Sequence, residues 1–247
     1  MGINNLNLFI MNGLIESRNI ELWKSLKAEF NIKVIKEKRL GYEVYIRGKD
    51  VIIYVDADDL NPESFTHELL HLHLKSKDIY IAGGFKNLVV SNPELYSFIS
   101  ESLMDHVGNC LEHIKMLPVF LEMGFERNSF ISDYSVNKLS TKDLEQLTKT
   151  YYKHDENKNY LNGVAVDFFI GKFFSAKACP NVAFDYEISL LELEKIDPKL
   201  YQVLDLFFKE WTEFDIEKSD PIFGNYRSIL FEFTENLCNW AETKNII

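Results

Sequence analysis

Residues 61–74 read Asn61-Pro62-Glu63-Ser64-Phe65-Thr66-His67-Glu68-Leu69-Leu70-His71-Leu72-His73-Leu74, and the reading of the whole chain starts there. Asn61 supplies a capping side chain, Pro62 a pre-set φ at the first helical position, and Glu63 an acid in the first turn, so a helix begins at this point. Within it His67 and His71 are four apart and project from one face, one turn from each other. Leu69, Leu70, Leu72 and Leu74 make the helix apolar on most sides, which suits a buried element. A pair of imidazoles there is costly unless something is coordinated.

Two imidazoles so placed can reach one zinc ion at about 2.0–2.1 Å. The residue directly after the first of them, Glu68, points beside the metal, where a carboxylate could hold a zinc-bound water, take its proton during attack on a carbonyl and pass it to the leaving amine. The spacing thus yields two ligands, His67 and His71, and a general base, Glu68.

Upstream, apolar residues at Leu14, Ile15, Leu22, Leu26 and Phe30 approximate helical spacing over Leu14 to Phe30. Three β-prone runs follow, Ile32 to Ile35, Tyr42 to Ile46 and Val51 to Val55, the last two joined by Arg47-Gly48-Lys49-Asp50. They predict a small antiparallel sheet packed on the histidine-bearing helix. Downstream, Gly83-Gly84 reads as a loop. Asn92-Pro93-Glu94 opens a second helix expected to run to about Met116, ahead of Pro118. Residues 127–140 are polar and turn-rich, and beyond them the chain reads as helical, with starts at Ser140-Thr141, Asp197-Pro198 and Asp220-Pro221. The fold class is α+β, with a core over 1–130 and a helical region over 131–247, either separate or part of one compact domain. The aromatic residues of the second half are expected in its core.

The run from His67 to His71, preceded by a hairpin and followed by a further helix, resembles the minimal zincin core of zinc metallopeptidases over about residues 30–117. Leu74 and Lys77 stand where the metzincin branch has its glycine and third histidine, so the closer resemblance is to the thermolysin-like and ImmA/IrrE-like branches. The resemblance implies that the strand before the motif helix, Val51 to Val55, pairs with extended substrate. It also implies a glutamate as third ligand, matched by Glu101 with Asp105 in support of a metal-bound histidine. The residues themselves give a second candidate. Glu94, Glu101, Asp105 and Glu112 form one column on a helical wheel, as a solvated face does, whereas His113 lies at the border of the apolar arc with Asn109 one turn before it. Twelve residues of helix rise about 18 Å, so Glu101 and His113 cannot both serve, and both stay open, with Glu112 and Asp78 behind them. His73 and His106 read as hydrogen-bonded structural residues. Tyr134, Tyr96 and His154 are candidates for an oxyanion donor.

Composition narrows the classes further. A formal charge of −11 and a pI near 5.1 lack the basic face that phosphate contacts need, which argues against nucleic acid. Cys110, Cys179 and Cys238 are odd in number and widely spaced, without the pairing of a thiolate zinc knuckle, and are expected as free thiols. No apolar run approaches the roughly 18 residues that span a bilayer, and the first residues lack a leader pattern, so a cytoplasmic protein is expected, with no membrane or nucleic-acid partner. The expectation is therefore a hydrolase: a zinc-dependent peptidase with Zn2+ as cofactor and a peptide or protein as substrate. The alternative is a non-catalytic regulatory or interaction module that keeps the zincin scaffold.

Overall fold

The computed structural model describes residues 13–39, 41–155, 158–218 and 225–246, with the backbone path alone at 154, 155, 158 and 159. The start of the chain, read above for a leader, and Asp220-Pro221 lie outside the described residues. The chain divides into two compact units, Met1–Ile79 with Met116–Tyr134, and Tyr80–Lys115 with Ser135–Ile247. The secondary structure is mixed, with helices predominating.

In the first unit, helix α1 (Ile20–Glu29) is shorter than the periodicity from Leu14 suggests. The cause is Asn19, whose buried amide donates to the Leu14 carbonyl at 2.8 Å and to Thr66 Oγ1 at 2.9 Å while its oxygen accepts from the Glu16 N–H. That side chain holds residues 14–19 as a turn. Strands β1 (Asn31–Glu37), β2 (Glu43–Arg47) and β3 (Asp50–Asp56) then form a sheet in the order β1-β3-β2. The expected hairpin of β2 and β3 is present, closed around Gly48, whose φ of 61° suits a two-residue turn. The sheet is mixed, contrary to the expected antiparallel one. With β2 on one side of β3, β1 takes the other side and runs parallel to it.

Helix α2 (Pro62–Ser76) starts as its sequence dictates, with Asn61 Oδ1 accepting from the Ser64 N–H. It ends at Asp78, in the left-handed region with φ 62°, where the Ile79 N–H bonds the Leu74 carbonyl at 2.9 Å in a Schellman-type closure. Phe65, Leu69 and Leu72 of α2 join Val51, Ile53 and Val55 of β3, Leu26 and Phe30 in one buried cluster. Each such side chain contributes about 1.5–3 kcal/mol by leaving water.

The second unit contains α3 (Ile81–Ser91) and the single turn α4 (Pro93–Tyr96). Helix α5 (Glu101–Glu122) is continuous through the boundary between the units. The rest is α6 (Thr141–Thr150), a hairpin of β4 (Tyr152–Asp155) and β5 (Lys158–Leu161), α7 (Gly163–Lys177), α8 (Glu187–Ile196), α9 (Pro198–Glu213) and α10 (Tyr226–Glu242). Four expectations change here. Gly83-Gly84 is helical, not a loop, because small residues permit close approach: a Cβ on Gly84 would lie 2.9 Å from Leu230. The helix expected from Pro93 to Met116 is broken before Glu101, since Ser100 caps a new start, its Oγ accepting from the Leu103 N–H at 3.1 Å, and the Asp167 carboxylate holds it by accepting from Ser100 N–H and Oγ–H. It then continues past Pro118, which forgoes one helical hydrogen bond. The β4–β5 hairpin interrupts a region read as wholly helical.

Many aromatic residues of this unit are core, as expected, although Tyr152 and Phe231 are exposed. Phe207 and Phe233 stack with ring centroids 4.0 Å apart, and Phe85 and Phe174 pack around them. Asp197 caps α9 at the Leu200 N–H and accepts from Tyr151 Oη and Trp240 Nε1, which ties three elements to one buried carboxylate. Among the described residues, no helix is long and apolar enough to cross a membrane.

The two kinds of helical glycine should respond oppositely to alanine. A Cβ on Gly108 would sit 2.6 Å from Ala82 Cβ, whereas one on Gly83 meets nothing within 4 Å. Gly108→Ala should destabilise by about 1–3 kcal/mol through overpacking, and Gly83→Ala should stabilise by about 0.5–1 kcal/mol, both read from urea unfolding midpoints.

Candidate metal centre

With Phe65, Leu69 and Leu72 turned into the core, α2 carries His67 and His71 half-buried on another face. Their Nε2 atoms stand 3.2 Å apart and the rings are inclined at 72°. Two nitrogens on a tetrahedral ion at about 2.0–2.1 Å are separated by roughly 3.3 Å, so the observed pair has the spacing of one edge of such a site. The buried ring of Phe130 packs on His67 with centroids 4.9 Å apart, and Phe120 lies behind it at 5.2 Å. These contacts limit the orientations open to the first imidazole.

His113 of α5 completes the group: one ligand atom from each of His67, His71 and His113 lies within 4.8 Å of the others. These three side chains could hold a metal ion. Glu101 and Asp105, the other open reading, are exposed near the start of α5, and Asp105 pairs with Lys86 at 3.0 Å. Asp78 is exposed at the left-handed end of α2. Glu112 departs from the solvated column assigned to it, being only 5% exposed. The reason is a change of surroundings along α5: Glu101, Asp105 and His106 face solvent, whereas Leu111, Glu112, Lys115 and Met116 are all buried.

Glu68 is 9% exposed, with the Val44 N–H of β2 near its carboxylate. Burial pushes its pKa above the ordinary carboxylate range, while His71 and the Val44 N–H oppose the rise. β3 is paired on both sides, so Val51 to Val55 cannot accept a further strand, and the open edge on this side of the sheet belongs to β2. This corrects the assignment of the substrate-pairing strand. Chain order makes β3 the strand before α2, whereas sheet order puts it in the middle.

The remaining candidates are distributed as follows. His106 bonds Ser175 Oγ at 2.7 Å, in keeping with a structural role, and His73 is half-buried on α2 outside the group of three. Tyr134 is half-buried in the same unit as His67, Tyr96 is exposed, and the side chain of His154 lies outside the described residues. Cys110, Cys179 and Cys238 are thiols outside any disulfide, Cys110 buried and the others half-buried. Two contributors went unread in the sequence. Phe130 could have been noticed as a lone large aromatic in a polar stretch, whereas the Val44 N–H carries no side-chain signal.

No family model matches the chain, and no curated protein or solved structure gives a significant match. The site therefore rests on its own geometry. In chelator competition with zinc, His113→Ala should weaken binding by more than the about 10–100-fold typical of losing a supporting residue, and Glu101→Gln should leave it unchanged. The reverse pattern would return the third position to Glu101.

Proposed function

We propose that the chain is a zinc-dependent metallopeptidase, with His67, His71 and His113 as ligands and Glu68 as general base. The observation that carries this reading is the gathering of three imidazoles around one point with a buried carboxylate on the same helical turn. The donor set favours zinc, since neutral imidazoles are ordinary zinc ligands. Three protein ligands leave a coordination position open, as catalytic sites do and closed four-ligand structural sites do not.

Bound there, zinc supplies Lewis acidity that polarises a carbonyl and makes water nucleophilic near neutral pH. Glu68 accepts the proton of the attacking water and returns it to the departing amine, so the peptide bond is cleaved with no net change in the enzyme. The nearby Val44 N–H favours the ionised form of the carboxylate. An extended substrate adds to the outer edge of β2 through main-chain hydrogen bonds.

The test compares digestion of a peptide library by wild type and by Glu68→Gln, with zinc content measured on both. The proposal expects equal zinc and a rate lower by about 100- to 10,000-fold in the variant. Full zinc with no cleavage by wild type would instead support the non-catalytic module built on the same scaffold.

A further inference from the structure

Helix α9 ends against α5 on the turn that carries His113. Lys115, buried on α5, donates to the carbonyls of Thr212 at 3.0 Å and Phe214 at 2.6 Å, the last acceptors of α9. Its ammonium also lies 5.0 Å from the centre of the Trp211 ring. Trp211, fully buried, donates its indole N–H to the Leu111 carbonyl at 2.9 Å. A cation at a helix C-terminus meets carbonyls that have no partner within their own helix, so this contact suits both sides.

Leu111 and Lys115 are one turn apart and share a face of α5, while His113 projects roughly 160° away from both. The end of α9 thus grips the back of the turn whose front bears the third imidazole. Local stiffness there is reduced, because Pro118 has no N–H to give the carbonyl four residues earlier, next to His113. An outside hold on the helix matters most at such a point.

We infer that Lys115 is a positioning residue for the metal centre: with Trp211 it fixes the rotation and axial register of α5, and so the place of the His113 ring. This rests on the metal-site reading above. A side-chain nitrogen about 6 Å from the helix axis moves about 0.5 Å when the helix turns by about 5°, against a tolerance of about 0.2 Å in a metal–ligand distance. A small loosening of the grip is therefore enough to be felt by the ion.

The test uses the full chain with Lys115→Met, Lys115→Arg and Trp211→Phe, each checked for folding by circular dichroism and thermal melting. Zinc affinity is read by chelator competition, and the cobalt-loaded proteins by visible absorption, whose intensity separates four-coordinate from higher-coordinate sites. Lys115→Met should bind zinc about 10- to 100-fold more weakly, with a weaker cobalt band, and Lys115→Arg, which can still donate to two carbonyls, should recover most of both. Should Lys115→Met fail to fold, Trp211→Phe removes a single donor and should show the same change in smaller degree. Wild-type affinity and spectrum in a folded Lys115→Met or Trp211→Phe overturn the positioning role alone. A wild type that binds no zinc overturns this inference and the metal site together.

Discussion

Phe65, Leu69 and Leu72 of α2 are buried with Val51, Ile53 and Val55 of β3, and this apolar contact determines which way His67 and His71 point. An isolated helix of fifteen residues is marginal in water, so α2 owes its order to that face. Once the face is committed to the sheet, the imidazoles have no freedom to turn with the helix. Residue 68, one step round from His67, lies where β2 can give it a backbone N–H. The orientation of the histidine-bearing face follows from burial of the opposite one.

What the sequence made legible was local. Asn61-Pro62 starts α2, Asp197-Pro198 starts α9 and Ser140 caps α6 as their residue types dictate, because a cap and its helix lie within four residues of each other. The pairing of His67 with His71 needed only helical geometry. His113 was visible for a related reason, a polar residue at the edge of an apolar arc, although the wheel alone could not separate it from Glu101.

What remained hidden depended on distant partners. Gly83 and Gly84 carry the signature of a loop, yet the close approach of Leu230 to Gly84 explains a small residue inside a helix. At the break before Glu101 the capping residue, Ser100, is held by Asp167, sixty-seven residues away. The parallel pairing of β1 depends on where the β2–β3 hairpin lies, and the burial of Glu112 on which half of α5 is enclosed. Each miss exchanged a correct local propensity for a tertiary contact that overrode it.

The central claim is that three imidazole nitrogens share one zinc ion, and X-ray absorption at the zinc edge of the loaded protein examines it most directly. The account predicts a first shell of three imidazole nitrogens at about 2.0–2.1 Å, completed by light atoms and containing no sulfur. A shell with a sulfur scatterer, or one built of oxygen with fewer than two imidazoles, would contradict it.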